Sequence, residues 1–183
     1  MLDDLGQLTR GGALQRRGTN LHRVLDDLLE LHAREAENPG VEVLREYDPS
    51  IPEISADPDR LTQIFLNLIR NAIQAMEGKG QLLVRTRVES EFRIAATDRP
   101  RNPSLSVDIE DSGPGIDPED LPHIFTPFFT RRPEGTGLGL AVAQHWVVRH
   151  DGQIRVDSLP GRGTRIRVSL PLLQMSESSE PRK

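Results

Sequence analysis
The sequence predicts an α+β fold. Three observations carry the prediction: a helix opening at Asp57 with one broad apolar stripe, strictly alternating residues over 82–88 and 105–109, and a closing strand pair, Ile154 to Val156 and Thr164 to Leu170, joined by Pro160-Gly161-Arg162-Gly163. A helix apolar on so wide a face must rest on a sheet or core.

The elements follow in chain order. Leu2, Leu5 and Leu8 have helical spacing, but Gly11-Gly12 ends the segment before it is long enough to stand alone, so it reads as the tail of a longer helix. Gln15 to Thr19 is polar and reads as a linker. Leu21, Val24, Leu25, Leu28, Leu29 and Leu31 form a helix with Asn20 as cap, stopped by Asn38-Pro39-Gly40. Val41 to Tyr47 is a strand, and Pro49 to Pro52 a turn. Asp57 caps the next helix, with Pro58 in the first turn, where its missing N–H costs nothing. Its stripe is Leu61, Ile64, Phe65, Leu68, Ile69, Ala72, Ile73 and Met76.

After the Gly78-Lys79-Gly80 turn, Leu82, Val84, Thr86 and Val88 alternate with Leu83, Arg85 and Arg87. Thr97 to Pro103 reads as a hairpin loop. Leu105, Val107 and Ile109 then alternate with Ser106, Asp108 and Glu110, and the strand delivers Asp111 to its end. Asp117-Pro118-Glu119 predicts a short helix, and Phe125 to Glu134 an irregular lid. A helix resumes from Leu138 to His150, Asp151-Gly152 turns into the closing hairpin, and Gln174 to Lys183 has the composition of a disordered tail.

Composition narrows the chemistry. The absence of cysteine excludes disulfides, thiolate metal sites and thiol nucleophiles. A net charge of −5 argues against nucleic acid as the partner, and an acidic protein that binds a triphosphate calls for a divalent cation to screen it. No apolar run has the length of a membrane span, and Met1-Leu2-Asp3-Asp4 lacks the basic and apolar parts of a signal peptide, so a cytoplasmic protein is expected.

The chemistry concentrates between Asp111 and Leu140. Two glycine motifs lie there, Asp111-Ser112-Gly113-Pro114-Gly115-Ile116 and Gly135-Thr136-Gly137-Leu138-Gly139-Leu140. Glycines let backbone N–H groups approach a phosphate, a helix N-terminus favours negative charge, and an aspartate ending a strand can accept from a purine amino group. The two lysines, Lys79 and Lys183, have no Ser or Thr after them, so a Walker loop is excluded; a dinucleotide fingerprint fails because no strand precedes Gly135. Asn67 and Asn71, four apart, share one face of their helix. Exposed or core-satisfied amides would account for them, as a plain turn would for Asp111 and a solvated surface for Arg131 and Arg132. Asparagine is nonetheless a mediocre helix former, and an amide oxygen suits Mg²⁺.

Taken in order, these motifs closely resemble the ATP-binding catalytic domain of sensor histidine kinases, in the superfamily that includes DNA gyrase, Hsp90 and MutL. The resemblance runs from about Asn20 to Leu172. It implies a Bergerat-type ATP-binding fold, a two-layer α/β sandwich whose mixed, mostly antiparallel sheet is covered on one face by helices. Through Tyr47-Asp48-Pro49-Ser50-Ile51-Pro52 and Asn67 to Ala75, two segments separated by a short stretch, the chain looks most like the nitrogen-regulation kinases.

The resemblance also assigns roles. Asn71 is implied as the Mg²⁺ ligand, Asp111 as acceptor of the adenine amino hydrogen, Gly113, Gly115 and Ile116 as the bed of the base, and Gly135, Thr136, Gly137, Leu138, Gly139 and Leu140 as the wrap around the phosphates. By the same resemblance Thr164 supports Asp111, Phe125, Phe128 and Phe129 form the aromatic part of the lid, and Arg131 or Arg132 reaches the phosphates, Arg132 being the expected catalytic cation. Asn67 stands where hydrolytic relatives carry a water-activating Glu. An amide cannot take a proton, which favours transfer of the γ-phosphoryl to a protein side chain over water.

No histidine here has the setting of a phosphoacceptor, so the acceptor is expected on a dimerisation domain of which residues 1–18 are the tail and linker, followed by the catalytic domain over 19–173 and the tail over 174–183. The implied partners are that domain, a response regulator and a regulatory signalling protein, with no membrane contact. The piece is expected as a monomer and the whole protein as a homodimer. An ATP-hydrolysing member of the superfamily and an anti-sigma-factor-type serine kinase are the alternatives.

Overall fold
The computed structural model describes residues 13–34, 40–89, 103–133 and 135–172. The expected tail helix over 2–8, the loop over 97–102 and the tail over 174–183 lie outside them.

Five strands, β2 (Gly40–Glu46), β4 (Lys79–Glu89), β5 (Ser104–Asp111), β6 (Gln153–Ser158) and β7 (Thr164–Pro171), form one sheet in the order β2-β4-β5-β7-β6. β2 runs parallel to β4, and every other neighbour is antiparallel. A separate two-stranded ribbon pairs β1 (Arg17–Thr19) with β3 (Ile54–Ala56). Helices α1 (Leu21–Arg34), α2 (Pro58–Ala75) and α3 (Gly139–Arg149) lie on one face of the sheet. This is the α+β fold that the sequence pattern predicts, in the two-layer form with a mixed, mostly antiparallel sheet that the resemblance implies.

Packing explains the arrangement. All eight residues of the α2 stripe are buried, and they meet Leu82, Val84, Leu105, Val107, Ile109, Ile166 and Val168 from the inner face of the sheet. The Asp57 carboxylate caps α2 by accepting from the N–H groups of Asp59 and Arg60 at 3.1 and 3.2 Å, and Asn20 Oδ1 accepts from Arg23 N–H at 3.1 Å at the start of α1.

Four local features differ from the pattern or go beyond it. Arg17–Thr19, read as linker, is the strand β1, and Ile54–Ala56 is a strand no pattern announced; each has three residues, too few to show a period. Gln15 N–H donates to Asp57 Oδ2 at 2.9 Å and Arg16 bonds Asp151 at 2.8 Å, so this segment is fastened to the fold. The short helix expected from Asp117 is a single 3₁₀ turn at Leu121–His123. Finally, Ser106 and Asp108 point away from the helices yet are buried, because Arg167 lies over Asp108 with a two-pronged bond at 2.7 and 2.9 Å. A lattice of Arg85 with Glu46 and Arg165 with Glu110 continues across that outer face. Among the described residues no helix is long and apolar enough to cross a membrane.

Candidate nucleotide site
Asp111 ends β5 opposite Leu82 on one side and Thr164 on the other, so two ladders fix its position. It is 7% exposed. Gly113 N–H donates to its Oδ1 at 2.9 Å. Burial pushes the carboxyl above its ordinary value, against the backbone donors of Gly113 and Thr164 and the positive charge of Arg132, which pull the other way. A carboxylate has lone pairs beyond those two donors, and an amino group of a base could use one.

The glycines around it are required by contact. A β-carbon on Gly115, at φ +77°, would fall 2.2 Å from the Leu159 carbonyl, and one on Gly163, at φ +85°, would overlap the Asp111 carbonyl. The first motif thus packs directly on the β6–β7 turn, where Gly161 N–H also donates to the Pro114 carbonyl at 2.7 Å. Ser158 holds the junction from β6: its Oγ accepts from Ile116 N–H at 2.8 Å and lies 3.0 Å from Gly163 O and 2.9 Å from Thr164 Oγ1. A cleft of about 400 Å³ opens beside the motif, between Ala75, Met76, Glu77 and Lys79 on one wall and Ser112, Gly113, Pro114 and Gly161 on the other.

The second motif begins α3 at Gly139. The residue in the cap position, Leu138, gives no side-chain cap bond, so the first N–H groups of the helix remain open to an anion. A β-carbon on Gly139 would lie 3.7 Å from Asn67 Oδ1 and 3.8 Å from Asn71 Nδ2, which places the two half-buried amides of α2 directly beneath the start of α3. The lid is tied to this loop. Phe128, at φ +68°, donates its N–H to the Gly137 carbonyl at 2.9 Å, and a β-carbon on Gly137 would fall 2.4 Å from the Phe128 backbone.

The two arginines diverge. Arg131 grips Asp120 in a fork at 2.6 and 3.0 Å and sits 5.8 Å from the Phe129 ring, holding Asp120 below its ordinary carboxylate value. Arg132 reaches back to α2, donating to Gln74 Oε1 at 2.8 Å and to Asn71 O at 3.4 Å. Arg132 is therefore the arginine beside the amide pair. Phe128 is 61% exposed, while Phe125 and Phe129 are half-buried.

These residues fit a nucleotide with a divalent cation. A buried acceptor faces where a base would lie, an uncapped helix start faces where phosphates would lie, and two amides supply neutral oxygen donors of the kind Mg²⁺ accepts. Among the described residues no cluster of three His, Asp or Glu forms an all-protein metal cage, so a cation here would lean on few protein ligands. Sequence reasoning passed over Ser158, Gln74 and Asp120, none of which belongs to a glycine motif; the Ser-x₄-Gly-Thr spacing to Thr164 was the available signal for the first.

The comparisons agree with this geometry. Residues 56–174 match the model of the histidine kinase-, DNA gyrase B- and HSP90-like ATPase family. The sensory histidine kinase/phosphatase NtrB of Rhodobacter capsulatus is 38% identical over 178 residues, covering 94% of this chain and 48% of that protein. The sensor histidine kinase ZraS of Salmonella typhi is 35% identical over 173 residues, covering 94% and 35%. The chain therefore spans between a third and a half of the length of these relatives. Among solved structures, full-length ShkA in complex with AMPPNP superposes with a TM-score of 0.77 at 26% identity, over 96% of this chain and 36% of that one. The mycobacterial sensor histidine kinase MprB gives 0.68 at 28% identity, over 87% and 99%. With its own motifs and these likenesses in agreement, the chain belongs to the histidine kinase-, DNA gyrase B- and HSP90-like ATPase family.

Proposed function
We propose that this chain is the ATP-binding catalytic part of a two-component sensor histidine kinase, which passes the γ-phosphoryl of Mg-ATP to a histidine on a dimerisation domain for relay to a response regulator. The observation that carries the reading is the seating of Asn67 and Asn71 against Gly139, the first residue of an uncapped helix. Bound there, Mg-ATP supplies the phosphoryl group and the cation that offsets its charge.

Asp111 accepts from the 6-amino group of the base, with Gly113, Gly115 and Ile116 forming its bed and Thr164 alongside. The N–H groups of Gly135 to Leu140 hold the phosphates, and Asn71 contributes an oxygen to the cation. Asn67, lacking a basic atom, leaves water without a proton acceptor at that position, so transfer to a side chain is favoured over hydrolysis. Arg132, beside Asn71, neutralises developing charge. His150, with both ring nitrogens bonded, and His22, bonded to Thr86, are engaged in the fold, so neither is a suitable acceptor.

Identity with NtrB supports nitrogen regulation as the signal, although ZraS is nearly as similar. The organisation that goes with this reading is residues 1–18 as the tail of the dimerisation domain plus linker, of which Gln15 to Gly18 already pair with the catalytic domain, and 19–173 as the catalytic domain, monomeric alone and homodimeric in the whole protein, with a regulatory protein as a further partner.

The test is incubation with labelled Mg-ATP, with and without the histidine-bearing domain encoded upstream. Acid-labile label on that domain is expected. Steady release of free phosphate by the chain alone, or acid-stable label on a serine, would replace this reading with the hydrolytic or serine-kinase one.

A further inference from the structure
Ser158 makes three contacts with a single proton to give. The Gly163 carbonyl, 3.0 Å away, can only accept, and the Ile116 N–H, 2.8 Å away, can only donate. The third contact, to Thr164 Oγ1 at 2.9 Å, is then a hydrogen bond only if Thr164 is the donor. With its proton committed to Ser158, the Thr164 hydroxyl offers only lone pairs elsewhere. Thr164 lies directly across the β5–β7 ladder from Asp111, and both are buried. The carboxylate is likewise an acceptor.

We infer that Ser158 is a positioning residue for base recognition: by holding the Thr164 proton it makes Thr164 and Asp111 a pair of acceptors, which favours a purine carrying a 6-amino donor over one without it. This rests on the reading that the base lies at Asp111. Without Ser158 the Thr164 proton is free for another acceptor, and the Asp111 carboxylate stands across the ladder from it, where such a bond would compete with the amino group of the base.

The experiment is calorimetric titration of the chain with ATP and with purine riboside triphosphate, which lacks the 6-amino group, reading the ratio of the two dissociation constants. Ser158→Ala is expected to lower that preference for ATP about three- to tenfold, the range of one hydrogen bond. Ser158→Thr, which keeps the hydroxyl, is expected to retain it. Equal loss of affinity for both nucleotides in Ser158→Ala, or an equal fall in preference in both variants, overturns the inference and leaves Ser158 a structural residue.

If Ser158→Ala does not fold, Thr164→Val serves: its loss must be larger for ATP than for the purine analogue, and an equal loss is a refutation. Asp111→Asn separates the two readings. If it leaves the preference intact, the base lies elsewhere and the proposed site fails. If it abolishes the preference while Ser158→Ala does not change it, only the role of Ser158 fails.

Discussion
At the scale of single residues, Asp111 sets ligand recognition against stability. Its folded carboxyl value lies above the ordinary 3.8, so the fold disfavours the charge, and stability is lost as pH rises from that value through the raised one. Asp111→Asn is therefore expected to melt no lower than the parent at neutral pH without nucleotide, yet to bind ATP more weakly by about 1–3 kcal/mol; thermal melts with and without Mg-ATP would show both. His150 has the opposite sign. Its Nδ1–H donates to Trp146 O at 2.7 Å and its Nε2 accepts from Asp57 N–H at 3.1 Å, an arrangement only the neutral ring allows. Burial holds its value below the ordinary 6.5, so its contribution is complete above 6.5 and is lost as pH falls below it. Urea unfolding at pH 7.5 and 5.5 should show a smaller acid loss in His150→Gln than in the parent. Asp111 was legible because a glycine motif follows it, but His150 was not, since its partners lie at Asp57 in sequence and in the preceding turn of its own helix.

At the scale of elements, α2 and α3 share the work. Their contact at Gly139 brings the amide pair under the second glycine motif, while Asp57 and His150 join the start of α2 to the end of α3. Asn71→Ala, half-buried and outside the apolar stripe, should leave the melting temperature within a few degrees but weaken Mg-dependent ATP binding; a titration unchanged in its metal dependence would remove Asn71 from the site. Gly137 is at φ +66° with the Phe128 backbone in the space of a β-carbon, so Gly137→Ala should displace the lid and reduce ATP affinity at least tenfold by calorimetry. Helices and long strands were readable from periods of 3.6 and 2, and the stripe of α2 is buried in full. The ribbon of β1 and β3 was hidden because its pairing crosses from residue 17 to residue 56, and three residues carry no period.

At the scale of the whole molecule, the sheet is covered on one side by helices and on the other by its own arginines. Asp108, 3% exposed, depends on Arg167, and Arg167→Ala should cost about 1–3 kcal/mol in urea unfolding by leaving a buried carboxylate with no bonded partner. Alternation along β5 correctly placed Asp108 away from the helices, but it could not show that arginines one strand away would bury it. This cover has a consequence for the distribution of lifetimes in the native state. β5 is bonded along both edges and shielded on both faces, so its amides should exchange with solvent water only through the largest openings of the molecule, whereas Phe128 to Pro133 and Gly135 to Leu138, outside every helix and strand, should exchange through smaller ones. The slowest and fastest amides would thus border the same candidate site, with the proposed base acceptor at the enduring end and the proposed phosphate loop at the fleeting one.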